Sequence, residues 1–226
     1  MKLGLARRAF AEGLGTALLV MAVVGSGIAA SRLSPGDRGL QLLENAAATA
    51  AALVAIILAL GPVSGAQLNP AVTIADRVFG GIGTIEAATY IGAQVVGGAL
   101  GAMAANAMFS LPLVEVSTTT RSAGALWWSE AVATFGLLLV IFSLVRTGRS
   151  SVVPFAVGAY IGGAYFFTSS TSFANPAVTM ARTLSDTFAG IAPGSVPPFV
   201  VAQLVGAGLA IAAVRTLFPV FPGSRE

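Results

Sequence analysis

The pentapeptide Asn69-Pro70-Ala71-Val72-Thr73 recurs unchanged as Asn175-Pro176-Ala177-Val178-Thr179. It is one marker in a longer repeat. Ala11-Glu12-Gly13-Leu14-Gly15-Thr16 matches Ser129-Glu130-Ala131-Val132-Ala133-Thr134. Ala93-Gln94-Val95-Val96-Gly97 matches Ala202-Gln203-Leu204-Val205-Gly206. The markers keep their order, so the fold must be built from two related halves, about 1–110 and 120–226. Between them the residues are overwhelmingly apolar. Hydrophobic residues make up 56% of the chain and charged residues 9%, whereas a soluble domain carries about 25% charged residues. So few charges cannot cover a soluble surface, and the lipid bilayer is the expected surrounding.

Six apolar segments are long enough to span, at about 9–30, 43–62, 85–108, 125–145, 152–168 and 197–218. Two shorter ones, about 69–79 and 175–188, each open on Asn-Pro and read as half-helices that enter the membrane and return. The expectation is a single all-α membrane domain over 1–226, with six transmembrane helices and two re-entrant half-helices. Three spans per half make the second copy inverted relative to the first, an arrangement that places a solute path between broken helices at the midplane.

The N-terminus resembles a secretory signal peptide, with Lys2, Arg7 and Arg8 before an apolar run ending near Ala29 and Ala30. That run is long enough to span and carries Glu12, which has its counterpart in Glu130, so it reads as the first span. Loop charges set the orientation. With both termini cytoplasmic, the inside holds Lys2, Arg7, Arg8, Arg77, Arg146, Arg149, Arg215 and Arg225. The outside then holds Arg32, Arg38, Arg121 and Arg182.

The chain has no Cys and no His. Thiolate metal sites, Cys nucleophiles and imidazole ligands are thereby excluded, no cofactor is expected, and no nucleophile–base pair suggests an enzyme. A net charge of +3 without a basic cluster gives no basis for nucleic-acid binding.

Asn-Pro is a helix start. Asn caps through its side-chain oxygen, and Pro fits the first helical position, where the missing N–H is no loss. The Asn69 and Asn175 NH₂ groups are then expected to point into the path. Two half-helices meeting by their N-termini bring two positive dipole ends together, each roughly half a charge, which repels cations.

The stretches Ser64-Gly65-Ala66-Gln67-Leu68-Asn69-Pro70-Ala71-Val72-Thr73 and Ser172-Phe173-Ala174-Asn175-Pro176-Ala177 resemble the two signatures of the aquaporin (major intrinsic protein) family. The resemblance implies one pore per protomer, a homotetramer in the cell membrane, and Glu12 and Glu130 as buried braces of the half-helix loops. The run from Ala164 to Thr179 resembles a bacterial branch of aquaglyceroporin-like channels associated with arsenic resistance. That implies small neutral solutes: arsenite as its hydroxide, methylated arsenicals, and glycerol or water.

One departure matters. Most of the family has Arg directly after the second Asn-Pro-Ala, where this chain has Val178. Carrying over the family's filter gives Thr49, Ser172 and Val178. For the fifth span, gapless counting gives Gly163, and a loop two residues shorter gives Tyr165, which is preferred. Arg182, four residues after Val178, either supplies charge from the vestibule or ties down the helix end through Asp186. The competing function is a secondary active transporter, which needs an ionisable site at depth; only Glu12 and Glu130 qualify.

Overall fold

The computed structural model describes residues 3–219. Lys2 and Arg225, counted in the orientation argument, lie outside the described residues. Eight α-helices follow the sequence pattern closely: α1 (Leu5–Leu33), α2 (Arg38–Ser64), α3 (Pro70–Phe79), α4 (Thr84–Met108), α5 (Gly124–Arg146), α6 (Val153–Phe167), α7 (Pro176–Ala181) and α8 (Val196–Leu217). Among the described residues, six helical segments are long and apolar enough to cross a membrane. They are α1, α2, α4, α5, α6 with the short 3₁₀ turn before it, and α8. The chain is a multi-pass, all-α membrane protein. The end of the bundle from which α1 departs and at which α8 finishes is called here the terminal end, and its opposite the far end.

The repeat is written into the helix contacts. In the first half α1 crosses α4, and in the second α5 crosses α8. Lipid tails give helices no hydrophobic reason to associate, so close backbone approach through small residues has to do it. Gly97 and Gly101 of α4 lie against the α1 backbone. A Cβ at either would overlap the Gly13 or the Ala17 carbonyl. Gly206 of α8, the repeat mate of Gly97, abuts the Ala131 carbonyl of α5 in the same way. Gly97→Ala is expected to force α1 and α4 apart and cost about 1–3 kcal/mol. The midpoint of thermal unfolding in detergent checks this. A midpoint equal to wild type would mean that the crossing has slack.

The two half-helices differ. α3 runs its expected length, whereas α7 stops at Ala181, and only a 3₁₀ turn over Arg182–Leu184 continues it. The expected half-helix to residue 188 is therefore too long. The reason is tertiary. The Thr183 carbonyl accepts from Ser117 N (2.9 Å) and the Leu184 carbonyl from Glu115 N (3.1 Å) and Asn106 Nδ2 (2.9 Å). Those are the acceptors a further helical turn would have used.

Candidate functional site

Each half-helix begins as its residues dictate. Asn69 and Asn175 have extended backbones (φ −156° in both), and Pro follows at the first helical position. Asn69 Oδ1 accepts from Ala71 N at 2.9 Å. Asn175 Oδ1 accepts from Ala177 N at 3.0 Å and Val178 N at 3.2 Å. These bonds satisfy donors that the first helical turn cannot pair internally.

The segments before the asparagines hold matched left-handed residues: Ala66 (φ 45°) and Leu68 (φ 53°) in the first, Ser172 (φ 52°) and Ala174 (φ 48°) in the second. A non-glycine residue there costs about 1–2 kcal/mol. Such strain persists only where the surroundings enforce it. The enforcement comes from the two glutamates. Glu12 accepts from Gln67 N (2.9 Å), Leu68 N (2.7 Å) and Ser64 Oγ (2.6 Å). Glu130 accepts from Phe173 N (2.9 Å) and Ala174 N (2.8 Å). Both carboxylates are fully buried. Gln94 Nε2 joins Glu12 to Thr73 Oγ1, and Gln203 Nε2 joins Glu130 to Thr179 Oγ1, all within 3.0 Å. Gln94 and Gln203 stand out in the sequence only as repeat markers. A polar amide at matched positions deep in two apolar spans was the available signal for this role.

The turned backbone lets the two halves grip each other. Asn69 Nδ2 donates to the Ala174 carbonyl at 2.7 Å, and Asn175 Nδ2 to the Leu68 carbonyl at 2.8 Å. The expectation that both NH₂ hydrogens face the path is corrected. One of the two on each Asn is spent across the junction, which leaves one for a solute.

Around this junction lies a cavity of about 670 Å³, reaching from Gly61, Ser150 and Asp76 on the terminal side, past Asn69 and Asn175, to Tyr165, Phe173 and Arg182. Thr49, Tyr165, Ser172 and Val178 all line it. Thr49 Oγ1 and the Tyr165 hydroxyl are hydrogen-bonded at 3.1 Å, and Ser172 Oγ is buried with no partner among the described residues. Gly163 does not line the cavity and is exposed. The cavity wall is mainly apolar, from Leu19, Val23, Leu53, Ile57, Val72, Leu137 and Ile161. The result is a mostly greasy cavity with a few fixed donors and acceptors, a lining suited to small uncharged molecules and poor in groups that could replace an ion's hydration.

Arg182 is 3% exposed and lines the same cavity. Of the two readings of Arg182, the tie to Asp186 is absent. Asp186 instead accepts from Thr118 N (2.8 Å) and Thr118 Oγ1 (3.1 Å). The Thr118 backbone N–H, above all, holds the Asp186 carboxyl below its ordinary value. Arg121, which the sequence marks only as a loop charge, reaches the same mouth and lies over the Phe173 ring at 5.1 Å. No group of three or more metal-ligating side chains occurs among the described residues.

Three comparisons bear on this arrangement. The sequence profile of the major intrinsic protein family matches residues 1–172. The aquaglyceroporin AqpS of Rhizobium meliloti (strain 1021) is 49% identical over 213 residues, covering 94% of this chain and 91% of that protein. Aquaporin-5 of Ovis aries is 32% identical, covering 95% and 81%. Among solved structures, the aquaglyceroporin from Plasmodium falciparum aligns with a TM-score of 0.75 over 95% of this chain and 96% of that one. At 22% identity it speaks for the fold alone.

Proposed function

Because the chain belongs to the major intrinsic protein family, a family of membrane channels and not of enzymes, we propose that its pore selects small neutral polyhydroxylated or methylated solutes. These are glycerol, arsenite in its hydroxide form and methylated arsenicals, with water passing as well. We assign the narrowest point to Thr49, Tyr165, Ser172 and Val178, and the midplane junction to Asn69-Pro70-Ala71 and Asn175-Pro176-Ala177. The observation that carries this reading is Val178, a short apolar wall in the same cavity as the Thr49–Tyr165 pair. A methyl group rests against Val178, while hydroxyls bond to Thr49 and Tyr165.

The surplus of loop arginines at the terminal end supports a cytoplasmic location for both termini in the cell membrane. Four copies would assemble through the apolar faces that α2, α4, α6 and α8 leave exposed, at residues such as Leu58, Val96, Phe155 and Val201. Coupled transport has less support. It requires a carboxyl free to exchange a proton or an ion, and Glu12 and Glu130 are engaged by loop N–H groups and by Gln94 and Gln203.

Purified protein in liposomes, read by light scattering, tests the proposal. Glycerol, arsenite and methylated arsenicals are expected to enter well above the rate in empty vesicles, unchanged when proton and sodium gradients are collapsed. Flux of water alone would overturn the solute assignment, and flux that stops with the gradients would overturn the channel.

A further inference from the structure

A buried cation in the wall of a path for uncharged molecules requires a reason. Among the described residues the one ion pair is Arg8 with Glu86, far from Arg182 at the terminal end. No carboxylate among the described residues pairs with Arg182. Its Nε donates to the Ala189 carbonyl, and its guanidinium carbon lies 3.4 Å from the centroid of the Phe173 ring. Arg121 donates from Nε to the Gly190 carbonyl at 2.9 Å and from a terminal nitrogen to the Phe188 carbonyl at 3.4 Å. Three successive carbonyls, at 188, 189 and 190, thus accept from two arginines. They hold Arg182 by Nε alone. Its two terminal nitrogens have no protein partner among the described residues and are not sealed from the cavity.

Bracing the loop is one role for this side chain, but a neutral donor would serve for one carbonyl. Desolvating a charge is costly, and the cost brings nothing to the loop that an amide would not. The charge borders the lumen instead. At the other end of the same cavity stands Asp76, the residue of the first half that corresponds to Arg182, with Oδ2 accepting from Gln67 Nε2 at 2.7 Å. The repeat has therefore placed opposite charges at matched positions in the two mouths.

We propose that Arg182 and Asp76 form a bipolar ion filter: Arg182 repels cations at the far mouth, and Asp76 repels anions at the terminal mouth. A neutral solute passes both, and the free nitrogens of Arg182 bind its hydroxyl or oxo oxygens on entry. An ion of either sign meets a like charge in a low-dielectric passage, where the repulsion is strong. The inference rests on the channel reading above and assigns two residues that act with the midplane helix dipoles to keep that channel closed to ions.

Proteoliposomes carrying wild type, Arg182→Gln or Asp76→Asn test it. A trapped dye reports proton and potassium leak, a second reports chloride leak, and glycerol entry is read in the same vesicles. Gln can still donate to the Ala189 carbonyl, so the loop brace survives while the charge is lost. Arg182→Gln is expected to raise cation leak roughly tenfold or more while chloride leak stays low. Asp76→Asn is expected to do the reverse, with a similar rise in chloride leak alone. Two tight variants, or leaks that fail to sort by sign, would overturn the filter. If Arg182→Gln does not fold, Asp76→Asn decides: a tight vesicle overturns the proposal and a chloride-selective leak supports it. Failure of the channel reading looks different, as wild-type vesicles that admit no glycerol.

Discussion

Replacing Val178 by Arg is expected to cut entry of glycerol and methylated arsenicals by roughly tenfold or more, which corresponds to about 1.4 kcal/mol or more at the barrier, while water flow changes little. Val178 N is held by Asn175 Oδ1 at 3.2 Å, so the backbone at this position is fixed and the side chain alone decides the width. Arginine adds a long stem and a rigid fork of five donors. The carbonyl of Ala189 is already engaged by Arg182, and those of Phe188 and Gly190 by Arg121. The new guanidinium is left in the lumen, where it occupies the space a methyl-bearing solute needs. Two further cations nearby add repulsion and some instability, so the measurement is the ratio of solute to water permeability per folded protein. An unchanged ratio would show that residue 178 does not line the narrowest point, and the assignment of Tyr165 would fall with it.

Glu130→Ala is expected to abolish stable expression. It removes the acceptor for Phe173 N, Ala174 N and Gln203 Nε2, all buried. Each unsatisfied donor costs about 1–3 kcal/mol, so the sum approaches the whole stability of an ordinary domain, about 5–15 kcal/mol. It also releases the left-handed turn at Ala174, whose carbonyl is the acceptor for Asn69. Glu12→Ala removes one donor's acceptor more, because Ser64 Oγ also bonds there, and is expected to be at least as severe. The yield of monodisperse protein after detergent extraction checks both. Glu130→Gln separates bracing from proton chemistry: it keeps one acceptor oxygen, and is expected to fold partially and to conduct normally per folded molecule. A Gln variant that folded as wild type but lost both transport and its pH dependence would favour coupled transport instead.

Much of this architecture is legible from residues alone because the bilayer enforces it. Spans 1–6 can be read within a few residues, since only long apolar helices satisfy their own backbone there. The two glutamates are legible as carboxylates at matched positions inside two apolar spans, and their bracing of the loops as what the family resemblance implies. What escapes is set by residues distant in sequence. The end of α7 depends on carbonyls claimed by Glu115, Ser117 and Asn106. The division of each Asn amide between lumen and backbone depends on the opposite half. Gly163 and Tyr165 differ only by the length of the loop after α6, which no periodicity fixes. The pairing of Arg182 with the Ala189 carbonyl, in place of Asp186, follows from the fold of the mouth and not from i,i+4 spacing.

The reciprocal Asn bonds also impose an order in time. The acceptor for Asn69 is the carbonyl of residue 174, 105 positions later in the chain. At about 5–20 residues per second, the ribosome reaches that carbonyl roughly 5–20 s after Asn69 is made. Throughout that interval the first re-entrant loop has its own cap and its Glu12 brace at hand, but neither of the two bonds of the midplane junction can yet form. The first three spans must wait in the translocon or in lipid with that junction open, and the arrival of the second half is what closes it.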